Sequence, residues 1–426
     1  MRRYESYKDS GVEWLGEIPS HWESFPLFVQ AKISSITNHI DKELLSVYLD
    51  RGVVKFSDVD EKRTNVTSLD LSKYQLVRKG NLVLNNQQAW RGSVGISNYE
   101  GIVSPAYLIL ELSNKFDPHY ANYLFRNGSM VSHYLIASKG VGTIQRNLYW
   151  GNLRRTPIFI PPLSEQQKIA QFLDDKTAKI DQAVDLAEKQ IALLKEHKQI
   201  LIQNAVTRGL NPDVPLKDSG VEWIGQVPEH WEVKKLKFVS KINQHTLPEN
   251  TNGSLSIKYV DIGSVSFENG IEKVENFSFK NAPSRARRLA HRGDIVVSTV
   301  RTYLKAITMV KEEHQDCIFS TGFAVITSNE CLEDNFFELY AKSDAFTEQV
   351  SVFSKGMSYP AINSTDLSNL WITVPPISEQ QKIADYLEIQ VSKINQAITL
   401  KTAHIEKLKE YKSVLINDVV TGKVRV

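Results

Sequence analysis

At 426 residues, 42% hydrophobic and 23% charged, the chain has material for roughly two to four domains with ordinary cores, which excludes a disordered polymer. A net charge of +2 neither forbids nor supports a polyanionic partner, because a basic face can be offset by acidic residues elsewhere. Cys317 and Cys331 sit in no metal or redox spacing and read as incidental thiols of a reducing cytoplasm. Met1-Arg2-Arg3-Tyr4-Glu5 lacks a signal-peptide core, and no run of about 18 apolar residues is present to cross a membrane.

The first strong pattern in chain order is Asp9-Ser10-Gly11-Val12-Glu13-Trp14-Leu15-Gly16-Glu17-Ile18-Pro19-Ser20-His21-Trp22-Glu23. It returns as Asp218 to Glu232, identical at 11 of 15 positions. Two Trp, two Gly and a Pro in so short a segment predict a rigid, turn-rich element stapled to a core. Base stacking by Trp14 and Trp22 is the competing reading. His21 and His230 repeat inside the motif, which favours structural hydrogen bonding over a ligand role. A motif present in both halves encodes nothing that differs between them.

A diverged region follows in each half, but its skeleton aligns. Gly80-Asn81-Leu82-Val83-Leu84 matches Gly293-Asp294-Ile295-Val296-Val297, a turn and then a buried strand. Ala106 to Leu110 matches Gly322 to Ile326. A helical stretch from Tyr120 to Leu135 matches one from Phe336 to Phe353. Gly-marked loops follow, Gly140 to Arg146 and Lys355 to Pro360, then short strands Pro157 to Ile160 and Trp371 to Val374. Strands and short helices without regular βαβ alternation predict an α+β domain in each half.

Each half closes on the same stretch. Pro161-Pro162-Leu163-Ser164-Glu165-Gln166-Gln167-Lys168-Ile169-Ala170 returns as Pro375 to Ala384, with Ile377 for Leu163. Ser164 and Ser378, with Gln167 and Gln381 three residues on, have the capping-box pattern, and Glu165 and Glu379 suit the positive end of a helix. Apolar positions then alternate at spacings of four and three: Ile180, Val184, Ala187, Ile191, Leu194, Lys198, Leu201 and Ala205, and Ile394, Ile398, Lys401, Ile405, Leu408, Lys412, Leu415 and Val419. Sustained heptads predict a coiled-coil seam. Lys198 and Lys412 interrupt it at the same place, either setting register or lying with their stems along its edge.

The first helix spans roughly 65 Å at about 1.5 Å per residue. The linker Arg208-Gly209-Leu210-Asn211-Pro212-Asp213-Val214-Pro215-Leu216 reaches about 30 Å at most. The second half therefore starts near the far end of the first helix, and its own helix runs back antiparallel. The expected architecture is two similar globular heads separated by two long antiparallel coiled-coil helices, a pseudo-two-fold internal repeat with both termini near the first head.

Catalytic signatures are missing. The sequence has no Walker A run, HExxH, GxSxG, strand-following GxGxxG or Asn-Pro-Pro-Tyr. This shifts weight from an enzyme to a binding protein, with no catalytic or metal site expected. A stand-alone DNA-modifying enzyme with unfamiliar motifs and a protein-binding scaffold stay as alternatives.

The duplicated Asp-Ser-Gly-Val-Glu-Trp…Pro-x-His-Trp segment, the Pro-Pro-[Leu/Ile]-Ser-Glu-Gln-Gln-Lys-Ile-Ala helix starts and the helix ends at Leu201 to Thr207 and Leu415 to Thr421 resemble the specificity subunits of type I restriction–modification enzymes. The resemblance covers nearly the whole chain. It implies a target recognition domain over 1–160, a spacer helix over 161–207, a linker over 208–217, a second recognition domain over 218–374 and a second spacer helix over 375–426. It also implies that each recognition domain reads one half of a split double-stranded DNA site, and that the helices fix the half-site spacing. Two modification (methyltransferase) subunits would dock there and carry S-adenosylmethionine, with no cofactor in this chain. A restriction subunit, an ATP-dependent motor nuclease, completes the complex. A rod of about 65 Å limits the separation to about two turns of B-DNA, each about 34 Å.

Base readout needs Arg, Asn, Gln or Lys on loops held by a scaffold. In the first domain the candidates are Asn85, Asn86, Gln87, Gln88 and Arg91 after the Gly80 strand, with Gln145 and Arg146 in the Gly loop. In the second they are Thr299, Arg301, Tyr303 and Lys305, with Ser358 and Tyr359 in the Gly loop. Arg285, Arg287, Arg288 and Arg292 form a basic cluster suited to phosphates. Solvated polar loops would carry the same residue types.

Overall fold

The computed structural model describes residues 2–13, 15–59, 70–140 and 146–426. The chain forms two compact units, residues 1–188 with 403–426, and residues 189–402. This division differs from the sequence blocks. Each unit holds one diverged region, the beginning of the long helix that follows it, and the end of the other long helix.

Both units contain the same four-stranded antiparallel sheet. Its order is Ala31–Ser34, Tyr107–Leu112, Leu82–Asn85, Val94–Ile96 in the first unit. In the second it is Ser240–Ile242, Phe323–Ser328, Ile295–Ser298, Ile307–Met309. The expected Gly80 and Gly293 strands are central, each entered through a glycine at positive φ, 87° and 91°. Their unbroken apolar runs follow from burial on both faces. Leu82 and Leu84 join the larger core, while Val83 joins a smaller one with Leu45, Val47 and Val53.

Divergence lies on that second face. The second unit adds a four-stranded sheet, Glu275–Ser278, Ser256–Val260, Cys317–Ser320, Ala286–Leu289, whose middle strands are parallel. Among the described residues the first unit has two-stranded ladders there, Leu45–Tyr48 with Gly52–Lys55 and Gln75–Val77 with Gly101–Val103.

Each expected single helix is two. Pro118–Arg126 and Gly128–Ala137 break at Asn127, whose side chain accepts from the Met130 amide and caps the second helix. Asp334–Ala341 and Asp344–Phe353 break at Lys342-Ser343 without such a cap, the Ser343 hydroxyl donating back to the Tyr340 carbonyl.

The long helices span Leu163–Arg208 and Ile377–Val420. Their starts differ from the capping-box expectation. Each begins two residues earlier than a Ser164 or Ser378 cap would place it, with the Pro162 carbonyl accepting from the Glu165 and Gln166 amides at 2.9 and 3.0 Å, and Pro376 doing the same for Glu379 and Gln380. Ser164 and Ser378 therefore lie inside the first turn.

Within each unit the two helices run antiparallel. Lys412 Nζ donates to both Asp181 carboxylate oxygens at 2.7 Å in the first unit. In the second, Lys198 Nζ donates to Asn395 Oδ1 at 3.2 Å and Lys401 Nζ to Gln190 Oε1 at 2.6 Å. All heptad seam positions are buried or half-buried. Lys198 and Lys412, and Lys401 with them, thus bond across to the partner helix rather than merely laying their stems along its edge. The Arg425 amide donates to the Arg2 carbonyl at 2.9 Å, so the two chain ends meet in the first unit.

Candidate nucleic-acid interface

The repeated motifs build a support, not a reading surface. In the first unit the strand Glu23–Pro26 pairs with Pro157–Ile160, which brings the His21-Trp22 pair to the start of the long helix. His21 Nε2 lies 2.7 Å from Glu165 Oε2. Tyr4 Oη and Trp22 Nε1 donate to Glu165 Oε1 at 2.7 and 3.3 Å. Burial and the neighbouring carboxylate push the Tyr4 hydroxyl pKa far up, so it stays a donor. In the second unit His230 Nε2 and Trp231 Nε1 hold Glu379 at 2.8 and 2.9 Å.

Trp22 and Trp231 are 1% and 0% exposed, which rules out base stacking by Trp22; Trp14 lies outside the described residues. Each buried ring also receives the end of the other long helix. A Cβ on Gly209 would lie 3.2 Å from Trp231 Cζ2, and one on Gly422 would lie 3.1 Å from Trp22 Cη2. Both glycines have φ of 77°, ending the helices in the left-handed region.

Next to each Glu, a fully buried Gln ties three backbone groups together. Gln166 donates to the Lys115 and Pro161 carbonyls and accepts from the Asp117 amide, all at 2.8–2.9 Å. Gln380 does the same for Cys331, Pro375 and Glu333. Sequence reading passed over both residues in favour of Gln167 and Gln381. Their repetition was the available signal, but only the fold shows which Gln points inward.

On this frame the two candidate loops of each unit come together. In the first unit Leu148, just past the Gly loop, donates its amide to the Asn86 carbonyl at 2.9 Å. Asn85 spends its side-chain oxygen on the Gln87 amide, a loop-holding role. Gln87 and Arg91 are exposed, and Asn86 and Gln88 half-buried. Trp90, left out of the candidate list, is central. Its Nε1 donates to the Gln87 carbonyl, and the Arg91 and Arg146 guanidinium groups lie 4.6 and 5.7 Å from its ring centroid. Gln145 lies outside the described residues.

In the second unit Val300 bridges Ala361, and Thr302 donates its amide to the Pro360 carbonyl and bonds Ser354 Oγ at 2.8 Å. Thr299 is absorbed in this frame, its hydroxyl on the Gly322 carbonyl. Arg301 sits at φ 53° and its guanidinium lies 5.2 Å from the Tyr359 ring centroid. Arg285, Arg301, Tyr359, Thr321 and Gly322 line one open cavity of about 520 Å³. Tyr303 and Ser358 are exposed beside it in sequence.

The other basic residues separate. Lys305 sits at φ 46° and turns to Thr347 Oγ1 at 3.2 Å, lining a different cavity with Lys198 and Lys342. Arg287 lies 4.7 Å from the Phe279 ring centroid and Arg288 Nη1 reaches Thr246 Oγ1 at 3.4 Å, so Arg285, Arg287 and Arg288 do not form one patch. Arg285 precedes and Arg287 and Arg288 occupy the strand Ala286–Leu289, whose register shifts between Ala286 and Arg288 and so breaks the regular alternation of its faces. Arg292 pairs with Glu312.

Among the described residues no helix is long and apolar enough to cross a membrane. The family model for the type I restriction modification DNA specificity domain matches residues 32–195 and again 228–410. The chain is 25% identical over 428 residues to the type I restriction enzyme MjaVIII specificity subunit of Methanocaldococcus jannaschii, covering 96% of this chain and 94% of that one. In fold it is similar to a chain solved for complex assembly and conformational transition of the type I R-M system, with TM-score 0.72, 18% identity and 96% and 99% of the two chains covered. It is also similar to the HsdS subunit from Thermoanaerobacter tengcongensis, with TM-score 0.58, 17% identity and 98% and 100% covered. With two copies of the domain over most of its length, the chain belongs to the type I restriction–modification DNA specificity subunits, a family of DNA-recognition rather than catalytic subunits.

Proposed function

We propose that each unit reads one half of a bipartite double-stranded DNA site, and that the helix pair sets the distance between the halves. The observation that carries this reading is the contrast within each unit. The clamp of His, Trp, Glu and buried Gln is the same twice, whereas the paired loops carry Gln87, Gln88, Arg91 and Arg146 in one unit and Arg301, Tyr303, Ser358 and Tyr359 in the other, where Arg285 lines the same cavity. Two different half-sites need two different readers, while a partner present in two copies needs two equal docking surfaces.

Matching exposed apolar positions on the helices support that second part. Leu186, Leu193 and Ile200 are exposed at seven-residue spacing on the first helix, and Leu400 and Val414 stand at the positions of Leu186 and Ile200 on the second. Two modification subunits dock on the helices in this reading and supply S-adenosylmethionine, a restriction subunit joins them, and the complex works in the cytoplasm. The test is to map methylated adenines in DNA exposed to this chain plus its modification partner. A two-part motif with a constant gap is expected; methylation without one overturns the reading.

A further inference from the structure

Both units hold a guanidinium against an aromatic ring across the two candidate loops, with the parts exchanged. In the first unit the ring, Trp90, is on the loop after the Gly80 strand, and Arg146 comes from the Gly loop, 5.7 Å from the ring centroid. In the second unit Arg301 is on the loop after the Gly293 strand, and Tyr359 comes from the Gly loop, at 5.2 Å. Nothing in the repeat requires this. The two loops have diverged in sequence, yet the same cross-loop pair is present in both.

Each pair is held from its surroundings. The Trp90 indole N–H is fixed on the Gln87 carbonyl. Arg91 also meets Trp90, but it is the ring's chain neighbour and lines a cavity with Asp50 and Arg126. Arg146 alone arrives from the facing loop, and among the described residues its buried Nε has no acceptor. Arg301 has a left-handed backbone, a strained conformation for a non-glycine residue, kept in place by the Val300–Ala361 bridge and the Thr302 bonds to Pro360 and Ser354. Its guanidinium opens on the cavity that Arg285 and Gly322 also line.

A guanidinium held against a ring at these distances is restrained in position and spends none of its N–H groups on the ring's edge acceptors, so its terminal N–H pair can still donate. It carries donors only. In the major groove guanine offers two acceptors, O6 and N7, to such a fork, whereas adenine offers one acceptor and an opposing amino group. We infer that Arg146 and Arg301 each read one guanine, one per half-site, with Trp90 and Tyr359 as positioning residues for them. This rests on the proposed function and names the base each unit selects. Arg285, which lines the same cavity as Arg301, suits the adjoining phosphate.

The test uses the full chain assembled with its modification partner, and duplexes of the mapped motif changed at each base pair in turn. The wild-type complex is expected to need a guanine at one position in each half-site. Arg301→Lys keeps the charge and loses the fork, so it relaxes one position in one half-site by about tenfold or more and leaves the other half-site intact. Arg146→Lys does the converse. Tyr359→Leu relaxes the same position as Arg301→Lys, and Tyr359→Phe restores it. Unchanged guanine preference in both Lys variants, or an even loss at all positions, overturns the inference while a bipartite motif still stands. A wild-type complex with no bipartite preference defeats the parent reading instead.

Discussion

The Trp231 indole N–H donates to the Glu379 carboxylate at 2.9 Å, joining the opening motif of the second half to the first turn of the second long helix. Trp22 and Glu165 repeat the contact at 3.3 Å. Trp231→Phe removes this bond together with the indole atoms Cζ2 and Cη2 that pack on Gly209. A hydrogen bond to a charged group contributes about 1.5–3 kcal/mol, so the midpoint of thermal unfolding should fall by a few degrees. Calorimetry of the purified chain checks it, and an unchanged midpoint would show that the clamp adds nothing.

Gln380→Leu should cost more. The side chain is fully buried and serves the Cys331 and Pro375 carbonyls and the Glu333 amide. Leucine of similar volume leaves those groups unpaired, each at about 1–3 kcal/mol. A loss of about 3 kcal/mol or more in urea unfolding is expected, and Gln166→Leu should match it.

The seam lysines should differ. Lys412 faces the Asp181 carboxylate, whereas Lys198 faces the neutral Asn395. Burial lowers the Lys198 pKa below its ordinary 10.5, so folding disfavours its charged form. The penalty is present in full at neutral pH and is relieved as pH rises from the folded pKa toward 10.5. Lys198→Met should therefore be neutral or stabilising at pH 7 and remove that alkaline gain. Lys412→Met leaves Asp181 unpaired and should destabilise. Urea midpoints at pH 7 and 10 separate the two.

Arg285→Ala should weaken binding by the assembled complex across all sequences and lower the slope of log affinity against log salt by about one, as loss of one phosphate contact does. Arg301→Ala should instead reduce specific binding more than nonspecific binding. Competition with scrambled duplex at several salt concentrations checks both.

One heptad inserted at matching places in both long helices adds about 10 Å of helix. The mapped motif should then gain about three base pairs of gap. Retained methylation at the original gap would show that the helices do not measure it.

The repeat made most of the fold legible. Heptads, the central Gly-led strands and the strand into the Pro-Pro pair lie where the residues indicated. Asn127 was missed as a break because a helix cap within an apolar stretch looks like one more helical residue until its side chain is seen on the Met130 amide. Ser164 drew attention as a cap because its pattern is common, while the neighbouring Gln166 does the tying from a buried position. The basic cluster at Arg285 to Arg288 looked like one surface because residues near in sequence are assumed near in space, and a strand sends them apart.

By itself the sequence determined that this protein is built twice, with a common helix and support and two different loop sets, because duplicated segments need no coordinates to be recognised. Only the tertiary structure decided which loop residues meet. Arg146 and Trp90 are 56 positions apart, and Arg301 and Tyr359 are 58, so nothing local in either stretch announces its partner. Their meeting follows from strand register and loop bridges that form only when each unit closes on its core.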